Sequence, residues 1–115
     1  MDPQSIKANL IEALRRLAAD AGQQREYLNR IHTPGSSDEL ALEYYDLILM
    51  VPELVDGGEL TVSQAEALQL VDDLLGSFSG RGHSALWDPA LLDTAKEWDD
   101  VRRAARAALS ALAAS

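Results

Sequence analysis

The sequence predicts an all-α fold, an antiparallel bundle of four to five helices in a single domain spanning residues 1–115. Three observations lead there. Apolar residues return at alternating spacings of three and four, which marks one face of a helix. Clusters of proline, glycine, serine and aspartate interrupt these runs with short connections, and short connections favour antiparallel neighbours. No segment alternates with period two or carries a β-branched run, so strands have no candidate. Composition agrees, because alanine and leucine dominate an apolar set that makes up 47% of the chain. That is enough for one core, and unbranched side chains keep their rotamer freedom on a helix.

Asp2 before Pro3 reads as an N-cap followed by proline at the first helical position. Leu10, Leu14, Leu17, Ala21, Leu28 and Ile31 then form a seam, with Gln24 at the missing step. The seam predicts one helix of about 25 residues, with Gly22 as a tolerated interior glycine. His32-Thr33-Pro34-Gly35-Ser36 stops it, and Ser36 with Glu39 matches a capping box that opens a second helix. There Leu40, Tyr44, Leu47, Ile48 and Val51 make one stripe, while Leu42, Tyr45 and Leu49 fall on the far side. A helix apolar on two sides is expected to be packed on two sides, which puts this one at the centre of the bundle. Pro52 ends or kinks it, and Asp56-Gly57-Gly58 closes it.

Ser63 with Glu66 predicts the next capping box, with Val62 stapled against Ala67. The third helix then buries Leu68, Val71, Leu74, Leu75 and Phe78. Gly76, Gly80 and Gly82 break the chain into its loosest segment, around Ser79 to Ser84. Asp88-Pro89 opens a short helix through Leu91 and Leu92, and Thr94 with Glu97 is a third capping box. The last helix carries Trp98, Val101, Ala105, Leu109 and Leu112 on one stripe. Trp98 reads as core, and Trp87 as an aromatic packed near it or at an interface.

Several function classes fall away on residue content. The chain has no cysteine, which removes a disulfide framework, thiolate metal ligation and a thiol nucleophile. No apolar run follows a basic cluster at the N-terminus, and no stretch approaches the roughly 18 apolar residues that cross a bilayer. The expectation is a cytoplasmic protein with no membrane contact. His32 and His83 both lie in turns, and no serine sits in a Gly-x-Ser-x-Gly elbow. Gly80-Arg81-Gly82-His83-Ser84 lacks the preceding strand and following lysine of a phosphate cradle. No enzymatic activity, cofactor or metal is therefore expected. The strongest competitor is a carboxylate site, because Glu39, Glu43 and Asp46 fall within a ~60° band of the second helix. With Asp72 or Asp73 from a facing helix they would suit a magnesium-dependent nucleotide phosphohydrolase. That reading lacks a Glu-Glu-x-x-Glu motif and the basic residues that would flank substrate phosphates.

The net charge of −9 is unevenly distributed. Residues 33–80 hold ten acidic groups and no lysine or arginine, whereas residues 1–32 hold five basic and four acidic groups and residues 81–115 five of each. Such a field repels nucleic acid and anionic membranes and speeds encounter with a basic partner. Glu39, Glu43, Asp46, Glu53, Asp56, Glu59, Glu66 and Asp73 lie on the second and third helices or the turn between them, and with Tyr45 as an anchor they form the expected partner-binding face.

The run Asp38-Glu39-Leu40-Ala41-Leu42-Glu43-Tyr44-Tyr45-Asp46, taken with Leu86-Trp87, Trp98, Val101-Arg102 and Ala105, resembles a pattern in small acidic helical proteins encoded beside bacterial polymorphic toxins. The resemblance covers residues 36–106 and implies an immunity protein that binds and neutralises a cognate toxin in the cytoplasm. It carries no particular binding residue across. The expected function is a stoichiometric protein-binding module, an immunity- or antitoxin-like inhibitor of a basic toxin domain. The alternatives are the magnesium-dependent phosphohydrolase and a self-associating adaptor, a homodimer paired through the apolar flank of its first or last helix.

Overall fold

A carboxylate sets where the first helix begins. In the computed structural model, which describes residues 2–31, 39–79 and 87–113, Asp2 accepts from the Ser5 backbone N–H at 2.9 Å. Pro3 follows at the first position of α1, Pro3–Ala18. The hydrogen bonds from Ser5 hold the Asp2 carboxyl below the ordinary carboxylate range.

The apolar seam does not continue as a single helix to Ile31. Ala19 is extended, with ψ 157°, and Asp20 caps a new helix, α2, Ala21–Arg30, by accepting from the Gln23 N–H at 2.9 Å. Gly22 therefore sits in the first turn of α2 rather than in a helix interior. Two tertiary contacts hold the break open by supplying donors to the end of α1. Gln24 Nε2 donates to the carbonyls of Arg16 at 3.1 Å and Leu17 at 3.2 Å, and Arg106 Nε donates to that of Ala18 at 3.1 Å. Gln24 is buried, as the phase of the seam requires, but it serves there as a hydrogen-bonding group.

The next apolar run also divides, into α3, Glu39–Ile48, and α4, Val51–Asp56, with Pro52 in the first turn of α4. Ser36 and the turn from His32 lie outside the described residues. Leu40, Ala41, Tyr44, Leu47 and Val51 are buried, but Leu42 and Leu49 are 43% and 76% exposed. Of the second apolar side, Leu42 and Leu49 thus face solvent while Tyr45 is partly buried, and the helix is not at the centre of the bundle. Its packing partners are α1, the helix that follows α4 and, more slightly, α2, and none of them covers Leu42 or Leu49. Glu59 N–H bonds the Leu54 carbonyl at 2.9 Å and Gly58 N–H that of Val55 at 3.1 Å, with Gly58 at φ 83°. This Schellman arrangement ends α4 and needs the glycine's left-handed backbone.

Helix α5, Val62–Gly76, starts from Thr61 instead of from a Ser63–Glu66 box. Thr61 Oγ1 accepts from the Gln64 N–H at 3.1 Å, and Gln64 Oε1 accepts from the Thr61 N–H at 2.9 Å. The earlier box wins because Gln64 also donates through Nε2 to the Ala111 carbonyl at 3.1 Å. Ser63 and Glu66 are left exposed, and Val62, 64% exposed, forms no staple. Leu68, Val71, Leu75 and Phe78 are buried as the stripe predicts, with Leu74 partly so. A 3-10 turn, Ser77–Ser79, follows, and Gly80 to Ser84 lie outside the described residues. The helix expected at Asp88-Pro89 is one 3-10 turn, Pro89–Leu91, opened by Asp88 accepting from the Ala90 N–H at 3.0 Å. Helix α6, Lys96–Ala113, takes its first carbonyl from Ala95, so Thr94 falls one residue short of a capping position.

Among the described residues four helices form the bundle: α6 packs along α1 and α5, and α3 packs along the same two from the other side. Their directions alternate. Gln64 at the start of α5 bonds near the end of α6, while Phe78 beyond the end of α5 meets Trp98 near the start of α6. Lys7 in the first half of α1 reaches the Glu59 carbonyl beyond α4, whereas Arg16 near its end pairs with Glu43. Phe78, Trp87 and Trp98 stack edge to face, with centroids 5.1–5.9 Å apart, closing the end where α6 begins. Arg102 of α6, a residue outside the predicted stripe, is buried and donates through Nη1 to Gln24 Oε1 at 3.1 Å. Arg25 of α2 pairs with Asp93 at 2.8 Å, and this bond keeps the Asp93 carboxyl low and the Arg25 guanidinium high.

Two stability predictions result. Gln24→Leu strands a buried arginine and leaves the Arg16 and Leu17 carbonyls without their Gln24 donor, so it should cost about 2–3 kcal/mol in thermal or denaturant unfolding. Adding Arg102→Leu to that variant should recover part of the loss, since the uncompensated charge is gone. Tyr44 is fully buried and its hydroxyl donates to the Leu68 carbonyl. Burial first, and the nearby Asp72 second, push its phenol well above the ordinary range. Its contribution should be complete below the unfolded phenol's pKa of about 10 and fall away at higher pH. Tyr44→Phe should lose about 1 kcal/mol at neutral pH and show a shallower alkaline decline in denaturant titrations.

Candidate functional site

The corner between α3 and α4 and the first half of α5 enclose an open groove of about 610 Å³. Ile48, Leu49, Val51, Pro52 and Val55 line one side, and Val62 and Ala65 the other. At roughly 100° per residue Ile48, Val51, Pro52 and Val55 would share a face even on a continuous helix, whereas Leu49 would fall to the side of it, so the break at Leu49-Met50 matters for bringing Leu49 onto the same groove. Leu49 and Val62 are the two most exposed large apolar residues described, and both lie on this groove. Asp56, Glu66, Gln69 and Asp72 supply its polar edge. Gln69 Nε2 donates to Asp72 at 3.2 Å and Asp73 at 3.0 Å, linking two adjacent carboxylates. No lysine or arginine lies in residues 33–80, so the elements that build the groove offer these carboxylates no counterion.

The carboxylates expected to share one face divide between two surroundings. Glu43 turns toward α1 and pairs with Arg16 at 2.5 Å, whose guanidinium also sits over the Tyr27 ring, 5.0 Å from its centroid. Glu39 shares the helix that carries this pair and is partly buried. Glu59 is partly buried where Lys7 reaches its carbonyl. Asp56 and Glu66 line the groove. Asp46, Glu53 and Asp73 are exposed, Asp73 beside the groove through Gln69. Tyr45 is partly buried, and its hydroxyl donates to the Leu75 carbonyl at 3.4 Å, so it leans on α5 more than it projects as an anchor.

From the sequence alone Asp72 stands out only as a metal ligand, and Leu49 and Val62 only as packing residues. The structure makes all three part of the groove. The signal was present in the second apolar side of α3, but periodicity does not say whether a neighbour covers it. Among the described residues no three His, Cys, Asp or Glu side chains are placed to hold a metal ion. His32, Arg81 and His83 lie outside those residues. No described helix is long and apolar enough to cross a membrane.

No family model, curated protein or solved structure matches this chain.

The exposure of Leu49 and Val62 has a measurable consequence for the fold. Leu49→Ser and Val62→Ser should change unfolding free energy by no more than about 0.5 kcal/mol. Leu54→Ala and Leu68→Ala, at positions 1% and 0% exposed, should cost about 2–5 kcal/mol in the same assay.

Proposed function

We propose that this chain is a stoichiometric protein-binding module, an immunity-like inhibitor that acts in the bacterial cytoplasm by docking its acidic α3–α5 surface on a basic toxin domain. The observation that carries the reading is the pairing of an exposed apolar groove with carboxylates that have no counterion on their own elements. An apolar centre inside a charged rim is how protein interfaces divide affinity from encounter. The rim charges raise the rate at which a cationic domain arrives, and desolvation of Leu49, Val62 and Val55 holds it there. A toxin that grips phosphates must present lysines and arginines, and carboxylates fixed in space compete for those same groups. The likeness of residues 36–106 to immunity-like proteins points the same way.

The test is titration calorimetry, at low and high salt, against a basic toxin domain found encoded beside this chain. Tight one-to-one binding is expected, weakened by salt and by roughly tenfold, about 1.4 kcal/mol, for each of Asp56→Lys, Glu66→Lys and Asp72→Lys. Glu43→Lys, which disturbs a carboxylate already paired with Arg16, should weaken binding less. Affinity indifferent to salt and to all four reversals would overturn the electrostatic basis of the proposal.

A further inference from the structure

We infer that the groove between the α3–α4 corner and α5 receives an amphipathic α-helix of the partner, with apolar anchors on one face and lysine or arginine on its flanks. The inference rests on the preceding reading that the partner is a protein, and it assigns that protein's contact chemistry. Two features of the groove lead to a helix. Its walls are themselves helices, α4 and α5, whose backbone groups bond within their own turns, so they offer no row of free N–H and C=O groups to an extended strand. An extended segment pressed on Ile48, Val51 and Val55 would bury peptide groups with nothing to bond, which is costly, whereas a helix satisfies its backbone internally. Anchors at i, i+4 and i+7 present the continuous apolar ridge that such a trough accepts.

Charge selects the flanks of that helix. Asp56 and Glu66 stand on opposite sides of the groove, on α4 and α5, and Asp72 lies farther along α5. Cations on both shoulders of an incoming helix would therefore each meet a carboxylate. The same arrangement disfavours a second copy of this chain. Around a two-fold axis the groove would face its twin, setting Asp56, Glu66 and Asp72 against the same three carboxylates.

The experiment measures fluorescence anisotropy of a labelled Leu/Lys peptide of roughly 18 residues, five helical turns, titrated with the full chain. A scrambled peptide of the same composition and a Leu/Glu peptide in the same register serve as comparisons. Micromolar binding of the basic helical peptide is expected, with the scrambled and acidic peptides at least about tenfold weaker. Leu49→Asp and Val62→Asp should each weaken it by roughly tenfold or more. Both positions are exposed, and Val62 opens α5, where an aspartate favours the helix, so the variants should fold, as circular dichroism would verify.

The sign of the effect separates the two proposals. Each substitution adds negative charge, so a peptide held by electrostatics alone would bind the variants as well or better. That result, with Glu66→Lys still weakening binding, would overturn the helix-in-groove inference and leave the acidic-surface reading intact. Equal binding of the scrambled or acidic peptide, or none by the basic one, would also overturn the inference. So would self-association of the unmodified chain that Val62→Asp abolishes, since it would assign the groove to a second copy.

Discussion

Ending a helix inside a protein leaves carbonyl oxygens that must find donors, and at the end of α1 those donors come from two other elements. Gln24 reaches back from α2 to Arg16 and Leu17, and Arg106 reaches across from α6 to Ala18. The amide oxygen of Gln24 is in turn occupied by Arg102. Burial lowers the pKa of the Arg102 guanidinium, so its hydrogen bond to Gln24 is part of what makes burying that charge tolerable. One glutamine thereby fixes the angle between α1 and α2 and the register of α6 on both. The aromatic triad of Phe78, Trp87 and Trp98 secures the same end against α5, and the rest of the bundle is aligned from there.

The parts of the fold legible in the sequence are those that depend on local periodicity. Leu10, Leu14 and Leu17, then Tyr44 and Leu47, then Leu68, Val71 and Leu75, and finally Trp98, Val101 and Ala105, are all buried where their spacing places them. Illegible features were those in which two local solutions are nearly equal and a distant residue chooses. Asp20 fits a helix interior or an N-cap, and the seam keeps its phase through either, because Gln24 is buried in both. Thr61 with Gln64 and Ser63 with Glu66 are equally good capping boxes, and Ala111, far along the chain, decides between them.

The candidate site shows the same division. The absence of cations from residues 33–80 is a property of the sequence, and the carboxylates described in that stretch lie on α3, α4 and α5, with Glu59 in the turn between α4 and α5. Which carboxylates retain unbalanced charge depends on tertiary approach: Arg16 comes from α1 to meet Glu43, and no such partner is provided by the walls of the groove. The groove itself was hidden because Leu49 looks the same in a hydropathy pattern whether a helix covers it or water does. Only the break between α3 and α4 shows which.

Helix α5 spans both ends of the molecule. Its last turn leads into the aromatic triad, while its first two turns, from Val62 to Gln69, form a wall of the groove. Within those first two turns Gln64 and Leu68 turn inward and secure the architecture, whereas Val62, Ala65, Glu66 and Gln69 line the groove, so the two sets occupy opposite faces of one rod. Substitutions on the outward face can therefore accumulate without eroding the packing beneath it, so the chemistry of the groove can change while the scaffold keeps its shape.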